Sequence, residues 1–154
     1  MNELKPFDDA LAGLIANLTP KARKALAATV AKRLRASQQQ RIKRQQAPDG
    51  TPYAARKSQP LRKPKGRIKR EMFAKLRTAR YMKANSSPDA AVVEFAGRVE
   101  RMAAVHHFGL RDRPNAHSKD VQYDERPLLG ITASELNIIE EQIITFLAFI
   151  PKIY

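Results

Sequence analysis

The histidines and carboxylates in the second half of the chain are the residues whose types and spacing could do chemistry. His106 and His107 could ligate a metal ion, but neighbouring side chains in a helix point about 100° apart, so the two rings cannot bind one ion from one face. Glu140 and Glu141 could act as an acid–base pair, but they fall on the polar face of a predicted C-terminal helix, where acids are ordinary surface residues. Neither pair predicts a catalytic or metal-binding site.

A third candidate lies in the polar segment over 110–125. A carboxylate–histidine site there would consist of Asp112, Asp120, Asp124 and His117. The same region carries the basic residues Arg111, Arg113, Lys119 and Arg126. This mixture of charges favours a solvated, charge-balanced loop. The sequence has no Gly-rich phosphate loop, nucleophile elbow, HExxH motif or cysteine. We therefore predict no enzyme, no cofactor and no metal site.

The strongest signal in the sequence is its charge distribution. Residues 19–83 hold 21 of the 29 Lys and Arg residues and only two acids, Asp49 and Glu71, so their net charge is +19, whereas the rest of the chain sums to −5. A solvated surface mixes both signs, so a block of one sign predicts contact with an acidic partner, either a polyanion or an acidic protein surface. Tyr53, Phe73 and Tyr81 are too scattered to predict base stacking.

The predicted partner contacts are basic residues that follow the apolar part of the second helix. They are Arg41, Lys43, Arg44, Arg56, Lys57, Arg62, Lys63, Lys65, Arg67, Lys69 and Arg70. The N-terminus has no signal sequence, and the longest nearly apolar run, Ile143 to Ile150, is less than half a membrane span. We therefore expect a non-exported protein with no membrane contact.

Hydrophobic periodicity predicts a helical N-terminal region. The first helix has an apolar stripe formed by Leu4, Phe7, Leu11, Leu14 and Leu18. Thr19 and Pro20 predict the N-cap and the first residue of a second helix, whose stripe is Leu26, Val30 and Leu34. Between Arg35 and Gln46 the apolar residues are sparse, so we expect the far half of this helix to lie in solvent or on a partner.

The middle of the chain carries turn and arm signals. Pro48-Asp49-Gly50 predicts a turn that closes the second helix. Residues 56–70 alternate Lys or Arg with Pro, Gly and Ser, which predicts an extended or flexible arm ordered by its partner. Ile68, Met72 and Leu76 step by four and predict a short helix over 66–78.

The second half changes period and predicts strands as well as helices. Segments 81–84 and 91–95 predict a β-hairpin, and Val99, Met102 and Val105 predict a helix that ends at Gly109. Thr132 and Glu135 fit a capping box, with Ile131 and Leu136 as its hydrophobic staple. The stripe of that last helix is Leu136, Ile139, Ile143, Leu147 and Ile150.

The predicted fold class is therefore α+β. Long N-terminal helices occupy 1–46, and a basic extended arm occupies 47–70. A small core over 71–154 combines the antiparallel β-hairpin with a short helix and the C-terminal helix.

Three stretches in this order and spacing resemble the tail completion or virion morphogenesis family of contractile-tailed bacteriophages. They are 44–53 (Arg-Gln-Gln-Ala-Pro-Asp-Gly-Thr-Pro-Tyr), 105–109 (Val-His-His-Phe-Gly) and 126–132 (Arg-Pro-Leu-Leu-Gly-Ile-Thr). Residues 72–77 add to the resemblance, which covers most of 19–148, although Asp124-Glu125 departs from the Pro-Ala or similar pair common in the family. We expect mainly structural roles for the motif residues Pro48, Asp49, Gly50, His106, His107, Gly109, Arg126, Pro127, Gly130, Thr132 and Glu135.

The resemblance implies a structural protein, made late in infection, that completes the tail and enables head–tail joining. It implies a homo-oligomeric ring, with six subunits to match the tail's symmetry, at the neck or head-proximal tail end of the virion. Its partners would be tail tube, tail terminator or connector proteins met in the host bacterial cytoplasm. The alternative function is a stand-alone basic nucleic-acid-binding protein.

The charge of the block bears on these two functions. Six blocks turned into a tail channel would bring on the order of +100 charges to the genome and oppose its passage. We therefore predict that most of the block faces acidic protein and that non-specific DNA contact is limited to a few residues.

Overall fold

The structure of the protein, a computed structural model, describes residues 3, 5–57 and 71–149. These residues form, in chain order, α1 (Lys5–Ala16), α2 (Pro20–Lys43), β1 (Met82–Ser86), β2 (Ala91–Phe95), α3 (Gly97–Phe108), β3 (Arg111–Asp112), β4 (Val121–Gln122) and α4 (Ala133–Ala148). Strands β1 and β2 form one antiparallel pair, and β3 and β4 form another. The predicted α+β class is confirmed.

The chain forms two compact units, each assembled from segments that are distant in sequence. Of the described residues, the first unit takes those up to Ala36, Lys83–Glu94 and those from Ala133 onward. The second unit takes Ser37–Met82 and Phe95–Thr132. The division into 1–46, 47–70 and 71–154 stays a prediction.

The core of the first unit is an apolar cluster on α2. It consists of Leu26, Val30 and Leu34, the stripe predicted from the sequence. The helix begins at Pro20, and the backbone N–H of Ala22 donates to the Thr19 hydroxyl at 3.1 Å, so the predicted N-cap is confirmed. The partly buried side chains that pack on this cluster are Ile15, Leu18, Ala91, Val93, Ile139, Ile143 and Phe146.

Helices α1 and α4 are present as predicted, but the apolar residues that pack on the cluster differ from the predicted stripes. In α1, Phe7 and Leu14 are 42% and 53% exposed. In α4, Leu136 is exposed, and Phe146 packs on the cluster instead. The stripes were wrong at these positions because both helices are apolar on more than one side, and periodicity does not say which side is covered. Two further stripe residues, Leu4 and Ile150, lie outside the described residues.

The far half of α2 is buried in the second unit, contrary to the expectation that it lies in solvent or on a partner. Gln38, Arg41 and Ile42 all belong to the interior, and Ile42 is completely inaccessible. The polar members tolerate burial because their side chains are hydrogen-bonded within the unit. Two polar residues of this region, Gln38 and Arg41, are therefore buried with hydrogen-bonded side chains, whereas Lys43 and Arg44 are exposed.

Two connecting segments also differ from prediction. A helix was predicted over 66–78, but residues 71–81, which include the described part of that range, form turns. Phe73 has a φ of 66°, which is incompatible with a right-handed helix. The supposed loop over 110–125 contains the β3–β4 pair, in register Arg111↔Gln122 and Asp112↔Val121. Strands of two residues are too short for an alternating pattern to reveal.

The remaining boundaries follow local sequence chemistry. The β1–β2 hairpin forms where it was predicted, and the Ser87 hydroxyl in its turn accepts the backbone N–H groups of Asp89 and Ala90. Helix α3 ends at Gly109, whose left-handed φ and ψ of 67° and 55° confirm the predicted stop. The apolar face of α3 was predicted less well, because Met102, which was expected to belong to it, is exposed.

Helix α4 begins at Ala133, directly after the predicted cap residue Thr132. The reciprocal capping-box hydrogen bonds between Thr132 and Glu135 stay a prediction. Within the described ranges, no helix has the length and hydropathy needed to cross a membrane.

Candidate partner-binding site

Arg126 is the central polar residue of the second unit. Its side chain is buried, with Nε donating to the carbonyl oxygen of Ala54 at 2.9 Å and Nη2 donating to that of Ala55 at 3.0 Å. The Asp124 carboxylate lies 3.6 Å from Nη2. The backbone N–H of Arg126 donates to the carbonyl oxygen of His106 at 2.8 Å. One arginine therefore holds the chain after the first motif stretch against the end of α3.

The residues that follow Arg126 are fixed by two side chains from the other stretches. His107 Nδ1 accepts a hydrogen bond from the backbone N–H of Leu128 at 3.0 Å, and the Tyr53 hydroxyl donates to the carbonyl oxygen of Pro127 at 2.9 Å. Since Nδ1 of His107 is an acceptor, its ring proton is on Nε2. Burial raises the pKa of Tyr53 to about 12, which keeps its hydroxyl protonated as a donor.

His106 belongs to a row of aromatic rings rather than to a metal site. Its ring centroid lies 5.1 Å from that of Phe73 and 4.8 Å from that of Tyr123, and Phe73 in turn lies 5.7 Å from Tyr53. All three contacts are edge-to-face, the geometry that aromatic quadrupoles favour. Burial lowers the pKa of His106, and the nearby Arg126 guanidinium lowers it further. The ring is therefore predominantly neutral at pH 7.

The pKa of His107 is also lowered. Burial is the larger cause, and the Glu125 carboxylate opposes it. The two histidines thus have different neighbours, since His106 packs in the aromatic row and His107 accepts the backbone N–H of Leu128.

Two glycines let the motif stretches approach each other closely. A Cβ atom added at Gly130 would lie 2.5 Å from Cγ of Pro48. One added at Gly109 would lie 2.7 Å from the backbone nitrogen of Glu125, and the positive φ of Gly109 already disfavours a side chain. Glycine is therefore required at both positions by close packing.

Arg41 was predicted to contact a partner, but the structure places it in the interior. Its guanidinium Nη2 donates to the carbonyl oxygen of Gly130 at 3.2 Å and also to Oε1 of Gln38. The same Gln38 oxygen accepts the backbone N–H of Gly130 at 3.1 Å. Arg41 and Gln38 thus satisfy both backbone polar groups of Gly130, which explains why a cation is buried here.

The turn at Pro48-Asp49-Gly50 reverses the chain as predicted. The backbone N–H of Ala47 donates to the carbonyl oxygen of Thr51 at 2.9 Å, and Gly50 adopts a φ of 86°. The Asp49 carboxylate accepts the backbone N–H of Thr51 at 2.9 Å, and this bond lowers the pKa of Asp49. The turn brings Tyr53 back to the helix end, where its N–H donates to the carbonyl oxygen of Gln45.

Each of the three loop aspartates considered as a catalytic cluster lies beside an arginine. The pairs are Asp112 with Arg101 at 2.9 Å, Asp120 with Arg113 at 3.2 Å, and Asp124 with Arg126 at 3.6 Å. These ion pairs agree with the predicted balance of charge, although part of this segment forms the β3–β4 pair instead of a loop. In the part of the chain that the structure describes, no cluster of three or more His, Asp or Glu side chains could hold a metal ion.

A cleft of about 430 Å³ lies beside Arg126 and the aromatic row. Its apolar lining consists of Met72, Phe73, Pro114, Val121 and Tyr123, together with His106. Its charged lining consists of Arg56, Lys57, Arg126 and Asp124, an excess of two positive charges. We call this site, defined by these ten residues, the basic cleft.

The other predicted partner residues divide into two groups. The exposed members of the second unit are Lys43, Arg44, Arg56 and Lys57. The members outside the described residues are Arg62, Lys63, Lys65, Arg67, Lys69 and Arg70. Lys57 is partly committed, since its Nζ donates to the carbonyl oxygen of Gln122 at 2.7 Å.

The sequence did not reveal the basic cleft or the aromatic row beside it, although some of their residues stood out in the sequence. Tyr53 and Phe73 are scattered along the chain, but their rings meet in the structure. Gln45 makes this contact possible, because its side-chain amide donates to the carbonyl oxygen of Met72 at 2.9 Å and accepts its N–H at 3.0 Å. Such a pairing of a side chain with distant backbone leaves no local pattern.

The phage virion morphogenesis family matches residues 2–148, so the chain belongs to this family of structural assembly proteins. It is 49% identical over 148 residues to tail completion protein S of Escherichia phage P2, an alignment that covers 96% of this chain and 99% of that relative. No solved structure matches the chain significantly. The resemblance inferred from the three stretches is confirmed, and the structure shows these stretches in contact with one another.

Proposed function

We propose that this protein completes the tail of a phage during virion assembly and makes the tail competent to join the head. The observation that carries the proposal is the 49% identity, over nearly the whole of both chains, to a protein named for tail completion. Membership in a virion morphogenesis family supports a structural rather than an enzymatic role.

The described side chains support a structural role as well. The residues that could serve acid–base chemistry instead hold chain segments together, as His107 does at Leu128. The buried cation Arg126 likewise binds backbone carbonyl groups within its own unit. These contacts join distant segments of the second unit, whose exposed residues include the cations Lys43, Arg44, Arg56 and Lys57.

The proposed place of action is the neck or head-proximal end of the tail, within the virion. We propose that six copies form a ring there and that its neighbours are tail tube, tail terminator or connector proteins. The exposed cations Lys43, Arg44, Arg56 and Lys57, together with the basic residues between 58 and 70, would contact acidic surfaces of those proteins. The net charge of +19 over 19–83 supports an acidic partner.

The experiment that tests the proposal is the phenotype of a phage whose gene for this chain carries a nonsense mutation. We expect electron micrographs of non-permissive infections to show full heads separate from unfinished tails, and a plasmid copy of the gene to restore joined particles. Joined, infectious particles without the plasmid copy would contradict the proposed function.

A charge reversal tests what the basic residues contact. In the Lys63→Glu/Lys65→Glu/Lys69→Glu variant, we expect head–tail joining to fall more than DNA affinity, because the partner is an acidic protein. The matched control reverses three exposed lysines of α2 outside the predicted partner set, namely Lys21, Lys24 and Lys32. A loss of DNA affinity with normal joining would instead support the nucleic-acid-binding function.

A further inference from the structure

We propose that the basic cleft binds helix α1 of a second copy of this chain, with Phe7 entering the cleft and Asp8 facing its cations. This inference deepens the proposed ring, because it names the two surfaces that join neighbouring subunits, and it gives Arg56 and Lys57 a second copy, rather than a tail or neck protein, as their acidic partner. It rests on the proposed function only in assuming that the copies assemble.

Helix α1 presents the apolar and acidic surface that such a contact requires. None of its residues is buried within the chain, although it carries Phe7 and Leu14. These two residues are seven positions apart, so they lie on one side of the helix. Both remain about half exposed, and Asp8 is exposed beside them. Ile15 of α1 packs on the core of the first unit, so the side with Phe7 and Leu14 is the apolar surface that this helix offers to a partner.

The charge of the N-terminal segment is opposite to that of the basic cleft. Residues 3–18 carry three acids, Glu3, Asp8 and Asp9, against one base, Lys5. Lys5 pairs with Asp9 at 2.9 Å on the same helix. The segment thus has a net charge of −2, which complements the excess of two positive charges in the lining of the cleft.

The basic cleft suits the insertion of an aromatic side chain. Its volume of about 430 Å³ falls in the range of pockets that enclose small ligands. Phe73 and Tyr123 supply aromatic lining, and Met72 supplies an adaptable thioether. An amphipathic helix that places its apolar side chains in such a groove is a common mode of recognition.

A second copy is the occupant that the charges favour. The chain carries +19 over residues 19–83 and −5 elsewhere, so each copy brings both halves of a complementary pair. A contact between two different surfaces of identical subunits is heterologous, and such contacts form a ring when the rotation between neighbours closes and an open filament when it does not. An isologous contact between two α1 helices would instead bring acidic segments together.

The chain lacks cysteine, which allows the contact to be tested by disulfide cross-linking of single-cysteine variants. An Asp8→Cys chain and a Lys57→Cys chain, distinguished by their tags, are mixed and oxidised. We expect a mixed disulfide between them, and far less between Asp8→Cys and Glu100→Cys, since Glu100 is exposed on α3 away from the cleft. Equal yields from both pairs, or no mixed disulfide, would overturn the inference.

Self-association of the purified full chain provides the second measurement. We expect Phe7→Ala to weaken association by about tenfold or more in sedimentation equilibrium, whereas Val92→Ala, a similarly exposed residue of β2, changes it little. Asp8→Lys should also weaken association, and adding Lys57→Glu should restore it. A monomeric wild type, or equal effects of Phe7→Ala and Val92→Ala, would refute the contact.

The two proposals can fail separately. If the nonsense mutant leaves unfinished tails but the cross-link and the association results are negative, tail completion stands and this interface is wrong. If the cross-link forms and the mutant makes joined particles, the subunit contact stands and the proposed function is wrong.

Discussion

The two units of this protein are held together by different kinds of contact. In the first unit, the buried cluster of Leu26, Val30 and Leu34 is entirely apolar. In the second unit, Arg126 and Tyr53 join distant segments through directed hydrogen bonds to backbone carbonyl groups. The first unit therefore depends mainly on the size and hydrophobicity of its side chains, whereas the second combines an apolar interior, in which Ile42, Met82 and Leu128 are completely buried, with hydrogen bonds that also require particular side chains.

This difference accounts for where the recognisable motifs lie. An apolar contact tolerates exchange among similar side chains, because its energy scales with buried area. A hydrogen bond from Arg126 to two carbonyl groups requires donors at fixed positions, which a lysine does not provide. The three stretches that identify the family all lie in the second unit, where these hydrogen bonds are made.

The largest expected effect is that of Arg126→Ala. Removing it leaves the carbonyl groups of Ala54 and Ala55 without their donor, so we expect the free energy of unfolding in urea to fall by about 3–5 kcal/mol. Arg126→Lys should lose most of the same energy. The control is Arg101→Ala, whose exposed ion pair should contribute less than about 1 kcal/mol. Similar losses in both alanine variants would refute the central role of Arg126.

A core substitution tests the opposite property of the first unit. We expect Leu34→Ala to lower the free energy of unfolding by about 2–5 kcal/mol, because it opens a cavity in the apolar cluster. Leu34→Met should cost less than about 1.5 kcal/mol, since it nearly conserves volume. If Leu34→Met were as damaging as Leu34→Ala, the proposed tolerance of the first unit would be wrong.

Glycine substitutions distinguish the units with smaller effects. Gly130→Ala should destabilise by about 1–3 kcal/mol, because the new Cβ would collide with Pro48. Gly13→Ala, in the open interior of α1, should stabilise by about 0.5–1 kcal/mol, since nothing lies within 4 Å of the added atom. Thermal unfolding of the two variants measures both the expected loss and the expected gain of stability. Stabilisation by Gly130→Ala would show that the Pro48 contact is not close.

The smallest expected effect is a pH dependence of the second unit. The pKa values of His106 and His107 are lowered on folding, so the unfolded chain takes up protons first as the pH falls. Their contribution to stability is complete above about pH 6.5 and is lost from there down to the folded pKa values. Urea midpoints should therefore drop between pH 7.5 and 5.5. His106→Phe should reduce the drop, and His117→Gln should not.

The parts of the fold that sequence predicted well depend on local chemistry. The Thr19 cap, the Gly50 turn and the Gly109 helix stop each require a particular residue at one position, whatever the rest of the chain does. The start of α2 and the end of α3 were predictable for that reason.

The candidate site was less predictable because its contacts join distant residues. Arg41 lies in a polar helix end whose composition is typical of a solvated surface. Its burial follows from a hydrogen bond to Gly130, 89 positions away. The basic cleft likewise depends on Phe73, whose backbone adopts a left-handed conformation where a helix was predicted. The charge distribution predicted that the basic residues contact a partner, but it could not distinguish the buried cations from the exposed ones.

The two carbonyl groups bound by Arg126 have a consequence for how copies of this chain can meet. Residues 54–57 are exposed backbone of the kind that recruits strands from other molecules into intermolecular sheets. Because the carbonyl oxygens of Ala54 and Ala55 already accept hydrogen bonds from a charged side chain, two of the acceptors that an added strand would use are partly committed. We therefore expect this backbone to pair less readily with strands of other molecules than an edge strand with free carbonyl groups, so that a partner would contact it mainly through side chains.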